Sequence, residues 1–340
     1  MKPKIPLIVA FLSIFVTPCF TQNQEDIQTL SIFSEYVKSK NYDSAYTPWM
    51  ELRQRNPRFN KAIFIYGERI LKYKIKKSVG DEKVNFINDM LALWEERAQH
   101  FSSLTPNGAY MAKACQLRYD NRKVLGLDKI QLHSAFSDAY NSDPKTFTNP
   151  KSLYTYFSLV VDMYDAGNIP AQELFNMYDI IFEKVESEVK NYTEKRNSFL
   201  NNEGESKELS RSDASKLKSY NSYLKAYDQI SSSIDAKLGS RANCENLIPL
   251  YIRDFESFKG DGLWLQRAMN RMYAKGCNDN PLFVKIVEQK NNLEPSADTS
   301  FYLAILKEKA GLSNEALGFY KQAIDLETNP NYKQIIQNIS

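Results

Sequence analysis

The sequence predicts an all-α chain in which antiparallel helix pairs stack as an α-solenoid, about seven pairs closed by a C-terminal capping helix. Three observations carry this. Apolar residues recur at three- and four-residue spacing along most of the chain, the period of an amphipathic helix. Only 12 glycines and 13 prolines occur in 340 residues, and most of them fall between the periodic stretches. Hydrophobic residues make up 43% of the chain and aromatic ones 13%, enough to fill a core and to exclude intrinsic disorder as the overall class.

The first element, residues 1–21, reads as a secretory signal peptide. Lys2 and Lys4 precede the apolar run Ile5 to Val16, and the chain turns polar at Thr21-Gln22-Asn23-Gln24. The run is about 12 residues, short of the roughly 20 that cross a bilayer as a helix. An N-terminal core helix would need a polar face that this segment lacks. No later stretch is long and apolar enough to span a membrane, so the exported chain is expected to be periplasmic or secreted. Cys19 follows Pro18 within Val16-Thr17-Pro18-Cys19, which argues against a lipid anchor at that cysteine.

Removing a segment that holds two lysines and no acid lowers the net charge from +3 to +1, with 42 basic and 41 acidic residues left. A nucleic-acid partner therefore has no electrostatic support. The run Lys72, Lys74, Lys76, Lys77 reads as the solvated face of a helix.

Residues 22–146 read as helix pairs. In the first, Ile32, Phe33 and Tyr36 share one face, a polar turn follows at Lys40-Asn41, and Ala45, Trp49 and Leu52 line the second helix. Small Ala45 allows close approach, and Pro57 ends the unit. Residues 59–77 and 81–100 form the next pair, the latter carrying Phe86, Ile87, Met90, Leu91 and Trp94 on a broad face. A weaker pair covers 108–144, with Phe136, Ala139 and Pro144 in step but Gly126 too close to the second helix.

Residues 147–242 read as a long helical hairpin. A helix over 149–166 carries Leu153, Phe157, Val160, Val161 and Tyr164 and closes at Gly167. A long helix runs from Pro170 to about residue 200, and another returns over about 214–238. Between them, 201–213 has almost no apolar content and reads as a mobile loop.

Residues 243–340 return to short pairs: Leu247, Leu250, Tyr251 and Phe255; then Leu263, Trp264, Met269 and Met272; then Leu282, Phe283, Ile286 and Val287. Near the end Leu303 and Ala304 lie on one helix, Gly311 makes the turn, Ser313 suits an N-cap, and Ala316, Tyr320 and Ala323 line the next. The segment 329–339 is short and polar enough to cap the array.

The first and last pairs share offsets: Ala45 to Trp49 matches Ala316 to Tyr320, and Trp49 to Leu52 matches Tyr320 to Ala323. Both resemble the tetratricopeptide repeat, a helix-turn-helix of 34 residues with small residues at set positions. The repeat-packing positions of that family fall on Tyr42, Ala45, Trp49 and Pro57 in the first unit and on Gly311, Ala316, Tyr320 and Ala323 in the last, where Thr328 replaces the closing proline. The resemblance implies a non-enzymatic, bacterial, exported scaffold that binds a protein, as a peptide or helix in a concave groove, in assembly of an envelope or secretion component. Phe301, Ile305 and Lys309 lie at first-helix positions that face the groove in the family, though packing against a neighbouring repeat explains Phe301 and Ile305 equally. The alternative is a helical glycan-binding protein of a polysaccharide-uptake system, with aromatic stacking platforms; its three tryptophans all sit on amphipathic stripes.

Past Cys19 three cysteines remain. Cys244 opens one helix and Cys277 follows the next, ends that meet in an antiparallel hairpin, so they either form a disulfide or lie as two unpaired thiols. Cys115 reads as a buried small hydrophobe. With only His100 and His133, no paired-histidine spacing, no phosphate-binding glycine loop and no Gly-x-Ser-x-Gly elbow, the sequence offers no catalytic or metal residues and calls for no cofactor.

Overall fold

The structure, a computed structural model, describes residues 19–200 and 209–339. Positions 1–18 of the expected signal segment and 201–208 of the expected loop lie outside the described residues. Every regular element described is helical, and the chain divides into two compact units, Met1–Leu159 with Lys184–Ile230, and Val160–Glu183 with Ser231–Ser340. The boundaries between these units fall inside long helices, where composition does not change.

The first unit opens with α1 (Cys19–Lys38) and α2 (Tyr42–Arg55). Lys40 turns the chain at φ 61°, and the Asn41 side chain caps α2 by accepting from Ser44 N–H at 3.3 Å. Ala45, Trp49 and Leu52 are fully buried, as their spacing predicts. On α1 the stripe is rotated from the expected one. Phe33 is buried, but Ile32 and Tyr36 are 50% and 38% exposed, and the buried face runs through Asp26, Phe33, Ser34 and Val37. The cause is polar: Asp26 is wholly buried and accepts from Arg55 Nε at 2.9 Å and Asn56 Nδ2 at 2.8 Å, which sets how α1 lies on α2.

Next come α3 (Ala62–Lys77) and α4 (Gly80–His100). The Trp49 indole donates to the Ile63 carbonyl at 2.9 Å, fixing α2 to the start of α3. Arg53 of α2, almost fully buried, reaches Asp89 at 2.6 Å and Glu96 at 2.8 Å on α4 and lies 5.2 Å from the Trp49 ring centre. The α4 core residues are Ile87, Met90, Leu93 and Trp94, with Phe86 and Leu91 packed at the margin.

The third pair is α5 (Asn107–Asp120) and α7 (Lys129–Ser142), separated by a single turn, α6 (Arg122–Leu125). That extra turn explains the misplaced glycine: Gly126, at φ 64°, ends α6 rather than α5. A capping box then starts α7, with Gln131 N–H to Asp128 at 2.8 Å and Asp128 N–H to Gln131 at 3.0 Å. Three longer helices follow, α8 (Pro150–Asp165), α9 (Ala171–Asn197) and α10 (Arg211–Leu238). The expected loop ends earlier than 213, because Ser210 caps α10 by accepting from Asp213 N–H at 3.1 Å. In the first unit Tyr192 of α9 stacks on Tyr223 of α10 at 4.7 Å.

The second unit holds α11 (Cys244–Phe258), α12 (Gly262–Ala274), α13 (Pro281–Leu293), α14 (Ala297–Lys309), α15 (Ser313–Leu326) and α16 (Pro330–Ile339). Cys244 and Cys277 form a disulfide, with their Cα atoms 5.5 Å apart. On α12 Leu263 is 47% exposed, against expectation; Asp261 caps the helix through Leu263 and Trp264 N–H, and the core stripe is Leu265, Ala268, Met269 and Met272. Arg271, nearly buried, donates to Tyr251 Oη at 2.7 Å and pairs with Asp179 of α9. Helices α14 and α15 pack on each other, and Ala304 meets Ala316, Tyr320 and Ala323 across the turn at Gly311, φ 75°. Ser313 is the first helical residue and makes no capping bond; Leu312 occupies the cap. Ile336 of α16 closes that core while Tyr332 and Ile335 face outward. In the first and last pairs a small residue, Ala45 or Ala316, is buried in the core and an aromatic follows one turn later: Tyr320 packs on Phe301 within its own pair, whereas Trp49 reaches across to Ile63 and Gly67 of α3.

Candidate functional site

The most chemically defined depression in the first unit is a cleft of about 260 Å³ among α4, α5 and α7. Its walls are small. Ala98 of α4, Ala114 of α5, and Ala135 and Ala139 of α7 leave room that larger side chains would fill, with Leu91 and Met111 beside them and Trp94 and Cys115 deeper in. Tyr110 forms an aromatic wall, with Lys113 4.7 Å and Arg97 5.2 Å from its ring centre.

Polar groups at the cleft are few. Arg118 is half-buried at the lip and has no hydrogen-bond or ion partner for its guanidinium among the described residues. Glu95 and Asn107 stand exposed at the margin. The Cys115 thiol donates to the Ala135 carbonyl at 3.3 Å, and burial pushes its pKa up to about 11 despite the opposing charge of Arg118. A thiol held protonated in this way is a weak nucleophile. The arrangement can hold an apolar side chain and offer one cation to a neighbouring carboxylate.

Of the residues singled out in the sequence, Leu91, Trp94, Cys115 and Ala139 line this cleft, while the repeat-packing and groove positions lie elsewhere. Tyr42 packs on Tyr73 at 5.1 Å between ring centres, and Ala45, Trp49, Ala316, Tyr320 and Ala323 are core. Pro57 lies in the turn between α2 and α3. Phe301 is half-buried and sets its ring 5.9 Å from that of Tyr320, inside its own repeat; Ile305 is half-buried and Lys309 exposed. His100 ends α4, where Arg58 Nε donates to its Nδ1 at 3.3 Å, and His133 lies on α7 with its ring 6.0 Å from that of Tyr156. Trp49 and Trp94 are buried, and Trp264 stacks on Phe258 at 5.5 Å, so tryptophan platforms for a sugar are largely consumed by packing. Among the described residues no cluster of three or more His, Cys, Asp or Glu side chains could hold a metal ion, and no helix is long and apolar enough to cross a membrane. The cleft was missed in the sequence because its signal, alanines on α5 and α7, reads as ordinary helix packing.

No family model matches the chain, and no curated protein matches it. Solved structures give weak likenesses. A tetratricopeptide repeat protein from Parabacteroides merdae is 11% identical, with 92% of this chain and 97% of that one covered and a TM-score of 0.31. Yeast Tom70 is 12% identical, with 100% of this chain and 66% of that one covered and a TM-score of 0.29.

Proposed function

We propose that the protein is a non-enzymatic scaffold that binds another protein, is exported through its N-terminal segment to the periplasm or beyond, and serves in assembly of an envelope or secretion component. The α4–α5–α7 cleft is the observation that carries the binding part. It fits a partner's leucine- or phenylalanine-sized side chain, whose burial contributes about 1.5–3 kcal/mol. A half-buried guanidinium without a partner of its own suits an adjacent carboxylate on the same segment. Export rests on the charged, then apolar, then polar order of residues 1–21, and a disulfide between Cys244 and Cys277 suits an oxidising compartment.

The test fills the cleft. Ala98 is half-buried at its wall, so Ala98→Phe should occupy the space while circular dichroism keeps its helical signal. Crosslinking in envelope extract, followed by mass spectrometry, is expected to recover a discrete partner with the wild-type chain and at least tenfold less of it with Ala98→Phe. Recovery of no protein by the wild type would remove the scaffold reading, and equal recovery by the variant would remove the cleft from it. Intact mass of the chain purified from its native host tests export, which predicts loss of about the first 21 residues.

A further inference from the structure

One helix presents a solvent face that is basic from end to end. On α3, Lys61, Ile65, Arg69, Lys72 and Lys76 follow one another at spacings of four, four, three and four, and all five are exposed. They lie opposite the buried Ile63, Phe64, Gly67, Ile70, Leu71 and Ile75. No acid falls on this stripe. The nearest carboxylate, Glu68, is only 16% exposed and already meets Lys72 at 2.6 Å, Lys113 of α5 at 3.3 Å and the Trp94 indole at 3.1 Å. Burial raises the Glu68 pKa, but the Lys72 hydrogen bond and the Lys113 charge outweigh it and hold the carboxyl below its usual value. Lys74, off the stripe, turns away to Asp43 at 2.5 Å. The four cations of the stripe are thus faced by one carboxylate, which is already committed to Lys72 and Lys113.

Helix stability does not account for the pattern. Lys76 near the C-terminal end suits the macrodipole, but Lys61 sits at the N-cap, where a cation is unfavourable and where it makes no capping bond. A local rule broken on an exposed face, without compensation inside the helix, points to a use outside it.

We propose that this face of α3 docks an acidic amphipathic helix of a partner protein. The proposal rests on the scaffold reading and gives the partner its chemistry. From Lys61 to Lys76 the stripe spans four turns, roughly 22 Å, so a partner helix of about 16 residues can set carboxylates at matching spacing. Ile65 gives the middle of the stripe one apolar contact, and Arg69 is held over the Tyr66 ring at 5.6 Å, which orders its guanidinium. An anionic lipid surface fits less well, because interfacial helices carry a broad apolar face to insert and this stripe has a single isoleucine.

The test uses the intact protein with a labelled, end-capped synthetic helix of about 16 residues, glutamates at i and i+4 flanking leucines, and a control helix with lysine in place of glutamate. Vesicles of phosphatidylglycerol with phosphatidylcholine form the second arm. The variant is Arg69→Gln/Lys72→Gln/Lys76→Gln, whose thermal melt should stay close to that of the wild type because all three side chains are exposed and Lys113 still pairs with Glu68. Expected are binding of the acidic helix that weakens as salt rises, at least a tenfold loss in the variant, and no binding of the lysine helix. Absent acidic-helix binding, binding unchanged in the variant, or preference for the vesicles over the helix would each overturn the proposal. The two readings separate cleanly: crosslinked capture lost in Ala98→Phe but unchanged in the triple variant removes the basic face alone, whereas no capture by the wild type removes the scaffold.

Discussion

Trp49 and Gly67 show how one position on a helix is fixed by a residue on another. The Trp49 ring is fully buried and its indole N–H is committed to the Ile63 carbonyl at 2.9 Å, so it cannot shift. A Cβ at Gly67 would stand 2.6 Å from that ring. Helix propensity favours alanine over glycine by about 1 kcal/mol in a helix interior, yet overpacking a rigid contact costs about 1–3 kcal/mol. Gly67→Ala is therefore expected to lower the urea midpoint at unchanged slope, and a midpoint equal to or above that of the wild type would refute the close contact. Ala45 and Trp49 are legible in the sequence because both lie on one amphipathic stripe. Gly67 is not, since a glycine inside a helix reads as a weakness until its neighbour across the interface is known. The same blindness hides Asp26, a buried acid that no hydrophobic pattern reports.

At the level of elements, glycine and proline punctuation makes most helix boundaries readable, and the failures have physical causes. The α1 stripe is rotated by the Asp26–Arg55 pairing, and the extra turn α6 displaces Gly126 from its expected place. The joint between α5 and the segment after α7 carries a pH-dependent contact of this kind. Asp143 accepts from Gly108 N–H at 2.9 Å and Thr146 N–H at 3.2 Å and also from the Thr146 hydroxyl. The Thr146 hydroxyl first, and the Gly108 N–H after it, hold the Asp143 carboxyl below its usual value. With the folded pKa below the unfolded one, near about 3.9, the native state binds fewer protons, so this stabilisation is fully present above the unfolded value and is lost as pH falls through the folded one. Asp143→Asn should thus be less stable than the wild type at neutral pH, and the gap in urea midpoint should narrow below about pH 4. Midpoints at several pH values decide it: a gap as wide in acid as at neutrality would show that the carboxylate's charge is not what holds the joint.

Across the whole molecule, helix pairing is legible because each pair is encoded locally, whereas the grouping of pairs depends on contacts far apart in sequence. The division into two units falls within α8, α9 and α10, whose patterns continue unbroken through it, so no composition shift marks it. The Cys244–Cys277 bond belongs wholly to the second unit and joins residues 33 apart. A loop of that size gains roughly 3–4 kcal/mol from the restricted unfolded chain. That stabilisation should appear where the loop is closed, in α11, α12 and α13, because local opening free energies vary along a structure. Cys244→Ser/Cys277→Ser is expected to speed hydrogen exchange in α11–α13 by roughly two orders of magnitude or more in the most protected amides, the upper bound following from the same 3–4 kcal/mol. Exchange in α2–α4 of the first unit, whose core is built on Trp49 and Trp94, should stay as it was. Faster exchange spread evenly over both sets of helices would mean that the two units open as one cooperative body, and unchanged exchange in α11–α13 would mean that the packing of Leu250, Met269 and Phe283 already holds those helices without the bond.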